Sequence, residues 1–173
     1  PAVIGPYGEF LASQRMDNLS SVHSSMAAFV DVTPTDDVAL MACFDHEEVG
    51  SSTRSGACGP FLEDGLVRIA EGLGMTGAAY RAMIARSSCV SSDAGHGVHP
   101  NYVEKFDPAN HPQLNEGPLL KITANQRYAT DGVGGALWKR ACATAGVPTQ
   151  EFVSNNSVPC GSTIGPLTAT RLG

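Results

Sequence analysis

Apolar positions recur along this chain in two rhythms, one helical and one that suits strands. After the turn Arg15-Met16-Asp17-Asn18, the residues Leu19, Val22, Met26 and Phe29 or Val30 fall at helical spacing, with Asp17 or Asn18 as the expected cap. Further helices are expected from Phe61 to about Leu73, from about Ala78 to Arg86, and from Asp131 to about Ala145, the last stopped by Gly146 and Pro148. Val38 to Phe44 is a continuous apolar run bounded by acidic residues, the pattern of a strand buried on both faces of a parallel sheet. Shorter strands are expected at Gly8 to Gln14, Ser88 to Ser92, Leu119 to Thr123 and Gln150 to Ser154. His99 to Gly117 is too polar and Pro-rich for regular structure and is a candidate functional loop. The segment N-N-S-V-P-C-G-S-T-I-G-P is turn-rich, and T-A-T-R-L-G after it has no evident closing element. Strands alternating with helices imply an α/β fold with a central, mostly parallel sheet and helices on both faces.

Size and charge narrow the function. A chain of 173 residues buries roughly two-thirds of its unfolded surface, enough for one domain or a piece of one. With a formal charge of −6 and 11 Lys and Arg scattered singly, it has no basic stripe for nucleic acid and no polybasic segment for a membrane. No apolar run is long enough to span a bilayer, and the first residues lack a basic stretch followed by a hydrophobic block, so an unexported, cytoplasmic chain is expected. Cys43, Cys58, Cys89, Cys142 and Cys160 are odd in number and widely spaced, which suits free thiols better than disulfides or a zinc knuckle.

Candidate chemistry gathers where strands end. In parallel sheets ligands bind beyond the carboxyl ends of the strands, and three such ends carry acids: Asp17, then Asp45, Glu47 and Glu48, then Asp93. Carboxylates meeting at one sheet edge repel each other unless a cation lies among them, and Asp, Glu and His suit Zn²⁺ or a related ion. Glu47 and Glu48 are adjacent, and on extended backbone their side chains point to opposite sides, so both can hardly ligate one ion. One is expected to bind metal while the other takes a proton from water activated there. His96 and His99 have a His-x-x-His spacing that can serve a metal, but loop histidines that hydrogen-bond locally or touch substrate fit equally. His46 lies inside the acid cluster and could orient a carboxylate, whereas His23 on a helical face is expected to be packed or solvated.

The motifs R-M-D-N-L, D-H-E-E-V-G-S, S-S-D-A-G-H-G-V-H-P-N-Y, G-P-L-L-K-I-T-A-N-Q-R-Y and P-C-G-S-T-I-G-P, in this order, resemble the aspartyl aminopeptidase family over nearly the whole chain. The resemblance implies a three-layer α/β/α metallopeptidase catalytic domain with two divalent metal ions, zinc in most cases. It implies removal of N-terminal Asp or Glu from peptides within a tetrahedral dodecamer. By motif position, Asp17 resembles the carboxylate bridging the two metals, Glu47 the general base, Glu48 a ligand of one metal and Asp93 a ligand of the other. The bond from Asp17 to Asn18 is expected to be cis on the same ground. Lys121 and Tyr128 resemble residues that contact substrate, and His96 and His99 take supporting roles in the pocket. Two further histidine ligands that the family would supply, one upstream and one in a downstream motif resembling M-H-S-I-R-E, are not among residues 1–173, and neither is the inserted dimerisation domain. Residues 1–173 are therefore expected to be a partial catalytic domain.

Two other readings compete. Another di-metal hydrolase of similar architecture, such as a neutral aminopeptidase, a carboxypeptidase or a deacylase, would use the same acids. A non-catalytic assembly module could retain the fold without the metals. Lys121 bears on the first rival, because a lysine in the apolar strand G-P-L-L-K-I-T either turns to solvent or faces a pocket where an acidic substrate supplies its partner.

Overall fold

Short-range signals in the chain produce the elements they forecast, and long-range ones do not always. The computed structural model describes residues 1–173, which divide into two compact units: residues 1–43 with 91–95, and residues 44–90 with 96–173.

In the first unit β1 (Ala2–Ile4) and β2 (Phe10–Ala12) form an antiparallel hairpin, with Ala2 opposite Ala12 and Ile4 opposite Phe10. The observed strand is shorter than the expected Gly8 to Gln14, and β1 was not expected. Helix α1 (Met16–Val30) follows, but Asp17 and Asn18 have non-helical backbone angles, so the regular turns begin after them. The Asp17–Asn18 peptide bond is cis. Asn18 does not cap the helix, because its side-chain amide donates to the Ser92 carbonyl at 2.9 Å. The apolar stripe of α1 is largely uncovered: none of its residues is buried, and Leu19 is 58% exposed.

The second unit is built on a βαβ crossover. β3 (Leu119–Ile122) and β4 (Gln150–Val153) pair in parallel, Leu119 with Gln150 and Ile122 with Val153, joined through α4 (Gly132–Ala145). Asp131 caps α4 by accepting from the Gly134 amide at 2.6 Å, and Gly146 ends it at φ 66°, a left-handed conformation that favours glycine. Leu120, Tyr128, Cys142 and Phe152 form the buried core here, with the Phe106 and Tyr128 rings meeting Phe152 edge-on at 6.4 and 6.3 Å. Helices α2 (Phe61–Gly72) and α3 (Gly77–Ala85) match their expected ranges closely, and Thr76 caps α3 through the Ala79 amide.

Three expectations need correction. Val38 to Phe44 and Ser88 to Ser92 form no ladder, since a strand is defined by its neighbours and the chain's only sheets are β1–β2 and β3–β4. Val38 and Leu40 are 51% and 43% exposed, so the longest apolar run is not a buried strand here. The final segment is helical: α5 (Gly165–Leu172) carries Pro166 in its first turn, where proline is favoured. Arg171 on α5 donates to the carbonyls of Cys58 and Gly59 and pairs with Glu63 at 3.1 Å, which ties the helix to the loop before α2. All five cysteines are free thiols, Cys142 buried and Cys43 and Cys89 exposed.

Candidate metal centre

The acidic motif after residue 44 closes into a hydrogen-bonded knot. His46 and Ser51 both take left-handed conformations, φ 62° and 58°, and between them Glu47–Val49 makes one 3₁₀ turn. The Ser51 amide donates to the His46 carbonyl at 2.9 Å, the Asp45 amide to Ser55, and His46 Nδ1 meets the Thr53 hydroxyl at 2.9 Å. Gly56 lets the loop close: a Cβ there would lie 2.3 Å from the Ser51 carbonyl oxygen, so only glycine fits without displacing backbone.

Glu47 and Glu48 part company on this turn, for a different reason than the one expected. The backbone is not extended; successive side chains on a 3₁₀ turn diverge by about 120°. Glu47 is half-buried, and its Oε1 accepts from Thr163 twice, from the hydroxyl at 2.8 Å and from the amide at 3.3 Å. Glu48 is exposed and makes no hydrogen bond or ion pair. One carboxylate is held in place and its neighbour is available, an arrangement that suits a base beside a ligand. Thr163 was not singled out in the sequence although it stands within P-C-G-S-T-I-G-P; nothing in residue type or spacing marks a contact across 116 positions.

In the first unit the Asn18 amide bond to Ser92 brings the chain at Asp17 beside the chain at Asp93. Asp17 is exposed and Asp93 half-buried. Asn18 Oδ1 is buried and accepts no hydrogen bond, an unsatisfied acceptor next to Asp17.

Lys121 and Tyr128 come together in the second unit. Lys121 is half-buried, not turned out to solvent, and its Nζ lies 5.8 Å from the centroid of the buried Tyr128 ring. The Tyr128 hydroxyl lies 2.6 Å from Cys160 Sγ. Both loop histidines are exposed; His99 Nδ1 accepts from the Asn101 amide at 3.1 Å, and its ring lies 5.0 Å from that of Tyr102. This is the local hydrogen bonding that a loop histidine offers. In the same loop the Asn110 side chain, helped by the Ala109 and Asn110 amides, holds the Asp107 carboxyl below the usual carboxylate range.

Oxygen donors of this kind suit Zn²⁺, and the unpaired Glu48 carboxylate and the unsatisfied Asn18 oxygen fit a neighbouring cation or donor. No cluster of three or more His, Cys, Asp or Glu able to hold a metal is present. The acids therefore fit as members of a ligand set and not as a complete one.

The incomplete donor set does not by itself fix the class of protein, and comparison with known proteins supplies it. Residues 1–173 match the family described as aminopeptidase I zinc metalloprotease (M18), and the chain belongs to that family. A Streptomyces coelicolor protein named "Probable M18 family aminopeptidase 2" is 48% identical over 177 aligned positions, covering 100% of this chain and 41% of the relative. The chain thus spans less than half the length of the curated relatives it matches. Among solved structures, the Ape4 and Nbr1 complex aligns over 99% of this chain and 34% of its own at 38% identity and a TM-score of 0.89. The S. cerevisiae mApe1 dodecamer aligns over 99% of this chain and 39% of its own at 29% identity and a TM-score of 0.79.

Proposed function

We propose that this chain carries the general base and three metal ligands of a zinc-dependent aminopeptidase that removes N-terminal Asp or Glu from peptides. The observation that carries the reading is the Glu47–Glu48 turn, with one carboxylate clamped by Thr163 and the next one free. Asp17, Glu48 and Asp93 would hold the metal ions, in the roles that the family resemblance gives them. When bound, the ions supply Lewis acidity that polarises the scissile carbonyl and makes water a stronger acid. Glu47 takes the proton at Oε2, the oxygen Thr163 leaves open, and passes it to the leaving amine.

Lys121 reads the acidic side chain of the substrate, with the Tyr128 ring beneath its ammonium group and His96 and His99 at the pocket's edge. Residues 1–173 are the partial catalytic domain of a longer subunit that includes a dimerisation domain. The likeness to the mApe1 dodecamer supports assembly into a tetrahedral dodecamer, and the free thiols suit a cytoplasmic setting. The test is zinc content together with hydrolysis of N-terminal Asp, N-terminal Leu and acyl-linked substrates by the complete protein. Zinc-dependent turnover fastest on the Asp peptide supports the reading; faster turnover of the Leu or acyl substrate transfers it to a neutral aminopeptidase or a deacylase.

A further inference from the structure

We infer that Thr163 and Ser51 form a two-hydroxyl relay that positions Glu47 for proton transfer, an inference that rests on the role proposed above for Glu47. The Thr163 hydroxyl has a single hydrogen, shared between Glu47 Oε1 at 2.8 Å and the Glu47 main-chain carbonyl at 3.0 Å. Its oxygen also lies 2.9 Å from Ser51 Oγ, and because the Thr163 hydrogen is spent on Glu47, the Ser51 hydroxyl is the donor. The chain of donation runs from Ser51 through Thr163 to the carboxylate, each bond polarising the next. The Thr163 amide adds a second donor to the same oxygen at 3.3 Å. One oxygen of the carboxylate is thereby fixed and the other is left to the chemistry.

Ser51 has the marks of a residue kept for its hydroxyl. It is fully buried, at 0% exposure, and its φ of 58° is a conformation in which glycine is the ordinary occupant. Its carbonyl is pinned independently, accepting from the Thr53 amide at 2.9 Å and the Cys58 amide at 3.2 Å. The loop's backbone bonds therefore do not need the Ser51 side chain, whereas the link to Thr163 does.

Thr163 and Ser51 are positioning residues, so the experiment separates kcat from KM in the complete, zinc-loaded protein. Thr163→Val keeps the shape and removes the donor; kcat is expected to fall roughly 10- to 100-fold, the effect of losing a hydrogen bond to a charged group, with KM and zinc content unchanged. Thr163→Ser restores the hydroxyl and is expected to return kcat to within about threefold of wild type. Ser51→Gly suits the backbone and is expected to lower kcat by about threefold to tenfold, again at constant KM. Equal losses in Thr163→Val and Thr163→Ser would mean that the hydroxyl does not by itself restore kcat and would overturn the relay, as would a wild-type kcat in Thr163→Val. Should Thr163→Val fail to fold, Ser51→Gly decides: an unchanged kcat refutes the relay. Glu47→Gln is measured alongside, and if it retains turnover the role of Glu47 itself fails, whatever the Thr163 variants do.

Discussion

The two units differ in how tightly the chain around their acids is packed and hydrogen-bonded. Around Glu47 the loop from Asp45 to Gly59 is crossed by hydrogen bonds that hold the Glu47 carboxylate while leaving that of Glu48 free, and α5 is fastened to the same loop through Arg171. Around Asp17 the hairpin is exposed throughout, α1 buries no residue, and the Asn18 side-chain amide bonds to Ser92 in the segment that carries Asp93. The difference matches two kinds of work. A base keeps one oxygen aimed at its water through preformed hydrogen bonds, whereas residues that hold a metal are oriented jointly by their own hydrogen bonds and by the ion.

The strongest way to break that contrast is Asp17→Asn, which is expected to release at least one metal and abolish turnover, read by elemental analysis beside kinetics. Full metal retention would remove Asp17 from the ligand set.

Lys121→Ala comes next. Truncating one member of a desolvated charge pair costs about 2–5 kcal/mol, so kcat/KM for an N-terminal Asp peptide is expected to drop by roughly 30- to 1,000-fold or more, and that for an Ala peptide far less. A constant ratio between the two substrates would mean that Lys121 does not read charge.

Stability sharpens the comparison further. Leu120, buried in β3, is expected to cost about 2–5 kcal/mol as Leu120→Ala in denaturant unfolding, whereas Leu19→Ala on exposed α1 should stay within about 0.5 kcal/mol. A cost of 2 kcal/mol or more at Leu19 would show that another surface covers the α1 stripe.

The smallest effect concerns Asp107. Its carboxyl is depressed by the Asn110 side chain and neighbouring amides, so its contribution to loop order is present above the ordinary carboxylate pKa and is lost as pH falls through the depressed value. Hydrogen exchange at the Asn110 amide should accelerate, after correction for intrinsic rates, across that acid range. Asp107→Ala should remove the step.

Much of this was readable in advance where the cause is local. Asp131 and Gly146 mark the two ends of α4, and the apolar spacing of α2 and α3 needs no distant partner. Leu119 and Gln150 begin strands that find each other across one helix. Val38 to Phe44 misled because apolar continuity does not supply a neighbouring strand, and α5 was missed because Gly165 and Pro166 look like turn residues when they in fact open a helix. At the site, the acids were legible by type and position. Thr163 and Ser51 were not, since a hydroxyl acquires its meaning only from the carboxylate that folding brings to it.

The most direct test of the account is Glu47→Gln in the complete protein, with turnover and bound metal measured on the same sample. An amide fills the same space and cannot accept the proton, so the rate should fall about 10²- to 10⁴-fold while both metals stay bound. Loss of metal together with activity would make Glu47 a ligand, and unimpaired turnover would contradict its role as the base.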